Sequence, residues 1–166
     1  NTLVMQTTKG EIIIELFPDK APNHVQRIKE LTRSGKYDGV AFHRVIDGFM
    51  AQTGDVKFGN SKSSNYNINL AGTGGSSLPD LRQEFNNVRH DRGIVSMARA
   101  ANPNSANSQF FIMLQAAPHL DRQYTVFGKV TKGMSVVDSI KKGSGSMGTV
   151  NDPDTIISLK ILGDTI

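Results

Sequence analysis

The sequence predicts a mainly β fold, a closed antiparallel barrel with two helices at its ends. Three observations predict it. About seven or eight short runs of β-branched and apolar residues follow one another, separated by turn residues. Only two stretches carry helical spacing, one early and one late, so helices do not alternate with strands as a parallel βαβ sheet requires. The chain also holds 16 glycines and long Asn/Ser stretches, which supply many turns.

The elements follow in order. Leu3 to Thr7 and Glu11 to Leu16 read as a hairpin turning at Lys9-Gly10. Pro18 and Pro22 end the strand pattern, and Pro22 suits the first turn of a helix, where its missing N–H is no loss. Val25, Ile28 and Leu31 then recur among polar residues, which marks an amphipathic helix stopped at Ser34-Gly35. Val40 to Gln52 reads as a second hairpin around Asp47-Gly48. Side-chain alternation puts Phe42, Arg44 and Ile46 on one face, with His43 and Val45 on the other.

Residues 55 to 80 read as a long surface loop with a short strand at Asn67 to Leu70, and loops of that length are usually functional or mobile. The cluster Gly72, Gly74 and Gly75 lacks the Gly-Lys-Ser/Thr ending and the strand–helix frame of a phosphate cradle. Ile94 to Ala98 and Gln109 to Leu114 read as strands, the latter apolar on both faces and so covered on both sides or lining a pocket. Tyr124 to Val130 is a further strand, Met134 to Ile140 a short helix stopped by Gly143, and Ile156 to Leu162 the closing strand.

Composition narrows the function classes. A chain of 166 residues, 37% hydrophobic and 20% charged, suits a single domain over 1–166 with its own core. The net charge of +4 comes from scattered Lys and Arg, without the interleaved aromatic and basic residues of a nucleic-acid surface. No run reaches membrane-spanning length. The absence of cysteine removes disulfides, thiol chemistry and Cys-ligated zinc. The four histidines form no ligand-like pair, which points to structural or surface roles, with His43 a hydrogen-bonded residue behind Arg44. No Gly-x-Ser-x-Gly elbow is present, which argues against a serine hydrolase.

Arg44 stands out because it lies in an apolar hairpin beside Phe49, Met50 and Gln52. A cation there is either solvated or paired at the sheet edge, or held at a groove and aimed at a bound carbonyl or amide. Residue spacing leaves both readings open.

Three runs, FHRVIDGFMAQTGD (42–55), SMARAANPNSANSQFFI (96–112) and YTVFGKV (124–130), together resemble the cyclophilin family of peptidyl-prolyl cis-trans isomerases, and its bacterial members most closely. The resemblance implies a closed eight-stranded antiparallel barrel capped by two α-helices, with the site on its outer face. It places the catalytic arginine on Arg44, with Gln52 as its polar partner, and a proline pocket on Phe49, Met50, Phe111 and Leu120. Gln109 falls on a further polar position. Ala98 and Arg99 fall where the family holds peptide by its backbone, and Tyr124 where many eukaryotic members carry a histidine.

The implied reaction, rotation about X–Pro bonds in the course of protein folding, breaks no bond and needs no cofactor or metal. The implied partners are proline-containing peptides and unfolded or partly folded proteins. The alternative is a module or chaperone that grips proline segments, with isomerisation incidental. His119 stands where cyclosporin-sensitive members carry tryptophan, so weak cyclosporin binding is expected. Thr53 replaces a glycine common in the family. A monomer is expected. The start at Asn1 and the likeness to exported bacterial members lead to an expectation of the periplasm, with the cytoplasm as the alternative.

Overall fold

In the computed structural model, which describes residues 1–163, the two predicted helices and eight strands are present. The last three residues of the predicted 1–166 domain lie outside the described residues.

β1 (Thr2–Thr7) and β2 (Gly10–Leu16) form the first hairpin. Its turn is closed by the Thr7 hydroxyl, which accepts from the Lys9 and Gly10 N–H groups. α1 (Pro22–Arg33) starts on Pro22 and buries Val25, Ile28 and Leu31 against the sheet. β3 (Arg44–Ile46) and β4 (Met50–Thr53) make the second hairpin, with Gly48 at φ +73 in the three-residue connection. β5 (Ile94–Met97), β6 (Phe110–Met113), β7 (Val126–Lys132), α2 (Met134–Ser139) and β8 (Ile156–Ile161) complete the chain. α1 packs against β8, and α2 against β2.

The strands form one sheet in the order β3-β4-β6-β5-β7-β2-β1-β8, antiparallel at every ladder. The ladders do not close fully. The sheet is a half-barrel whose seam carries isolated bridges, Ala41 to Thr155 and Arg44 to Thr149. β6 shows why both faces are apolar. Phe110 and Ile112 enter the main core inside the barrel, while Phe111 and Met113 join a second cluster outside it with Met50, Leu120 and Val126.

Register then builds an outer row. Arg44 pairs with Gln52, Gln52 with Phe111, and Phe111 with Ser96. Directly opposed residues share a face with Cβ atoms about 5 Å apart. The row therefore delivers the cation, the amide and the aromatic ring to one surface.

Four expectations change. Phe42 does not share a face with Arg44; it lies in the main core beside Val45, because regular alternation begins only at Arg44. Asn67 to Leu70 is a turn, held by the Asn67 side chain accepting from the Asn69 N–H and by Leu70 N–H donating to the Asn67 carbonyl. Neither ring nitrogen of the buried His43 meets a hydrogen-bond partner among the described residues. The 55–80 segment is also tighter than a surface loop. Its organiser is the fully buried Asp55 carboxylate, which accepts from the N–H groups of Lys57, Phe58, Gly72 and Gly74. Gly74 has to be small there, since a Cβ would stand 2.5 Å from the Asp55 Oδ1.

Burial sets a pH dependence. Desolvation pushes the His43 pKa down to about 4 against the opposing pull of Asp55, and it also lowers His24 and His90. The folded protein holds these rings neutral where the unfolded chain already binds protons, below about 6.5. Stability is thus complete above that value and falls as pH drops. For His43 the loss reaches about 3 kcal/mol near pH 4. Denaturant midpoints should hold from pH 7.5 to about 6.5 and then decrease steadily to pH 4.5, and a flat profile would contradict the neutral assignment.

Candidate active site

A groove of about 330 Å³ on the outer face is lined by Arg44, Phe49, Met50, Gln52, Ala98, Arg99, Phe111, His119, Leu120 and Tyr124. These are all the residues predicted from sequence except Gln109, which lines an adjoining groove of about 360 Å³ together with Gln52, Ala98 and Arg99. The groove floor is apolar and its residues are buried, with Met50 2%, Phe111 5% and Leu120 8% exposed.

Polar groups form a chain along one wall. Arg44 Nε donates to the Met147 carbonyl at 2.9 Å, and Arg44 Nη1 donates to Gln52 Oε1 at 3.4 Å. Gln52 Nε2 donates to Gln109 Oε1 at 3.0 Å, and Gln109 Nε2 to the Gly74 carbonyl at 2.9 Å. Neither Arg44 bond uses Nη2. A guanidinium has five N–H groups in a rigid plane, so two anchors fix that plane while others remain for a ligand.

Aromatic contacts set the other walls. Phe111 and Tyr124 meet edge to face, with ring centres 5.7 Å apart. His119 sits exposed on the short 3-10 turn Pro118–Leu120 and stacks on Phe49 at 6.0 Å, so it forms a rim, not a floor. The Arg99 side chain is more than tolerated. Its guanidinium lies 4.5 Å from the Tyr124 ring centre and donates through Nε and Nη2 to the Gln123 carbonyl, which pins the wall. The Ala98 N–H is committed to the Gln109 carbonyl, which limits the backbone contacts that residue can offer a peptide. Thr53, inward of Gln52, donates its hydroxyl to the Ala41 carbonyl.

Behind Phe111 lies a group that sequence reading missed. Asp121 Oδ1 meets His90 Nδ1 at 3.1 Å, and His90 Nε2 meets the Ser96 hydroxyl at 2.9 Å. A carboxylate only accepts, so Nδ1 carries the proton and Nε2 accepts from Ser96. The residue types match a hydrolytic triad, yet Ser96 is fully buried within β5 and no substrate reaches it. Its structural work is to seat the His90 ring, which stacks on Phe111 at 6.1 Å. No sequence motif signals this group: His90 and Ser96 lie six residues apart on a loop and a strand, and Asp121 joins them from a turn 31 residues after His90. The groove thus offers an apolar floor, a fixed cation and two amides, with no nucleophile exposed on its surface.

A family model described as cyclophilin type peptidyl-prolyl cis-trans isomerase/CLD matches residues 2–161. The chain is 56% identical over 166 residues to a probable peptidyl-prolyl cis-trans isomerase of Brucella suis, covering 99% of this chain and 84% of the relative. It is 43% identical over 143 residues to a peptidyl-prolyl cis-trans isomerase of Arabidopsis thaliana, covering 84% of this chain and 21% of that one. Among solved structures, cyclophilin AquaCyp293 from Hirschia baltica superposes with a TM-score of 0.81 at 29% identity, covering 100% of this chain and 75% of that one. A Cryptosporidium parvum cyclophilin-type isomerase, crystallised in the presence of the dipeptide Ala-Pro, gives the same TM-score at 29% identity and covers 97% of this chain and 98% of its own.

Proposed function

The chain belongs to the cyclophilin-type peptidyl-prolyl cis-trans isomerases, and on that footing we propose that Arg44 is the donor that lowers the barrier to rotation. The observation that carries this is a half-buried guanidinium fixed at two points beside a groove with an apolar floor.

The X–Pro bond is kept planar by resonance, with a barrier of about 18–20 kcal/mol. In the twisted state the prolyl nitrogen loses conjugation, becomes pyramidal and gains a lone pair. A donor aimed at that lone pair stabilises the twisted state more than either planar state, which is the condition for catalysis. Arginine suits the task because it stays charged at any working pH. Phe49, Met50, Phe111 and Leu120 would hold the pyrrolidine ring. Its three methylenes bring roughly 2 kcal/mol on burial, enough to anchor the ring and too little to trap the product. Gln52 would orient Arg44 and receive a substrate N–H or carbonyl, Gln109 would support Gln52, and Ala98 and Arg99 would border the chain preceding proline. The ring stays fixed while the N-terminal side rotates.

Proline-containing peptides and unfolded chains are the proposed substrates, a reading supported by the Cryptosporidium relative crystallised with Ala-Pro. The monomer is part of the same reading, since β3 is bridged to Thr149 and the start of β8 is bonded to residues 39 and 40 through Ile156. An exchange assay on an Ala-Pro peptide tests the function: wild type accelerates exchange, and Arg44→Ala loses most of that acceleration.

Cyclosporin should bind weakly. His119 offers an exposed imidazole already stacked on Phe49, a small polar surface for a large apolar ring. Calorimetric titration should give a micromolar or weaker affinity, and a nanomolar one would refute this.

A further inference from the structure

Gly143 to Gly148 is a run of glycine and serine broken by one methionine. Such a composition lacks the apolar residues that would hold a loop in place. The structure nonetheless ties both ends of this one down. Ile140 and Val150, on either side, are buried in the main core. Between them the segment runs along the outer edge of β3. Val45 N–H donates to the Gly148 carbonyl at 2.9 Å, Gly143 N–H donates to the Val45 carbonyl at 2.8 Å, and Thr149 bridges to Arg44. Gly148 is buried at φ +71, and a Cβ there would stand 2.5 Å from Ile46 Cγ1 and 3.0 Å from the Val45 carbonyl oxygen. Only glycine lets the segment come this close.

The close approach brings one atom to the site. The Met147 carbonyl accepts from Arg44 Nε at 2.9 Å, while the Met147 side chain is 63% exposed and reaches solvent. This bond is shorter than the 3.4 Å bond from Arg44 Nη1 to Gln52. It acts on Nε, the pivot of the guanidinium, so it sets the direction in which both terminal nitrogens point. Gln52 alone, with one long bond, would let the plane swing.

We propose that the Met147–Gly148 turn is a positioning element of the isomerase site: its backbone carbonyl fixes Arg44 in the orientation that the twisted prolyl bond requires. The proposal rests on the reading of Arg44 as the donor. The residue at 147 contributes through its backbone, and the tight packing of Gly148 supplies the accuracy. Donor geometry governs transition-state stabilisation far more than ground-state affinity, and a displacement of about 1 Å can cost up to about a hundredfold in rate.

The test combines a wild-type observation with two variants. In the wild type, the Arg44 Nε–H resonance should be shifted and protected from solvent exchange; exchange at the rate of a free arginine would overturn the proposal. Gly148→Ala pushes the turn off Ile46. Gly143→Ala does so from the other end, where a Cβ would stand 1.9 Å from the Gly148 carbonyl oxygen. In either variant that folds, the Arg44 Nε–H protection should be lost and kcat should fall at least about tenfold, with peptide affinity within about twofold of wild type. Unchanged kcat with that protection lost would overturn it. The two readings fail separately. An active Arg44→Ala protein would remove the donor role itself, whereas an inactive Arg44→Ala beside a fully active, displaced turn would remove only the role of the turn.

Discussion

Replacing Arg44 by alanine should lower the isomerisation rate constant by roughly 10²- to 10³-fold, the usual cost of deleting one preorganised donor, while the protein stays folded. The expected damage is confined to chemistry. Arg44 is half-buried on an outer strand, and its bonds run to a loop carbonyl and a glutamine amide, both of which can turn to water entering the groove. The floor that grips proline is untouched, so peptide affinity should change little. Arg44→Lys should recover only a small part of the rate, because an ammonium on a flexible stem cannot accept two anchors and still present a donor in a fixed plane. A steady-state assay with melting curves on the same samples checks all three statements. A rate within about threefold of wild type for Arg44→Ala would be incompatible with a donor worth several kcal/mol.

Phe111→Ala should produce the opposite pattern. Phe111 is 5% exposed, is opposed to Gln52 and Ser96 in the outer row, and packs against Tyr124 and the His90 ring. Removing the ring deletes the groove floor and opens a cavity, a change that typically costs 3–5 kcal/mol. For a chain of this size that corresponds to a fall in melting temperature of roughly 10 °C. Proline peptide should bind at least about tenfold more weakly, since much of the contact area for the pyrrolidine is lost. The on-enzyme rate should suffer less than in Arg44→Ala, because the donor and its anchors remain. A variant with normal stability and normal peptide affinity would show that Phe111 is not the floor of the proline site.

The two substitutions also mark what the sequence could and could not express. Strand alternation at Gln109 to Leu114 was readable, and Phe111 and Met113 do face away from Phe110 and Ile112. The nearness of Arg44 and Gln52 followed from a short hairpin around Asp47-Gly48. Arg44 alone, however, read more readily as a surface cation, and only the distant runs carrying Gln109, Phe111 and Leu120 turned it into a site. The register that lines Gln52 up with Phe111 joins strands far apart in the chain, and nothing local in either strand encodes it. Backbone groups were invisible for a different reason. The Met147 carbonyl and the Gly74 carbonyl hold Arg44 and Gln109, yet a carbonyl carries no residue identity. Asp55 was read only as the first residue of a long surface loop, although its carboxylate gathers four N–H groups and so organises that segment. Asn67 to Leu70 misled because alternation suggested a strand, while the Asn67 side chain offered its own backbone a turn instead. Arg99 was expected to matter through its backbone, and its planar side chain also clamps Tyr124.

The most direct measurement is the exchange rate of a saturating Ala-Pro peptide on the enzyme, read by NMR line shape for wild type and Arg44→Ala, with the dissociation constant obtained from the same titration. Arg44 as the transition-state donor predicts a fall of roughly 10²-fold or more in the on-enzyme rate with the dissociation constant within about threefold. Equal on-enzyme rates, with any loss of activity appearing only as weaker binding, would contradict it.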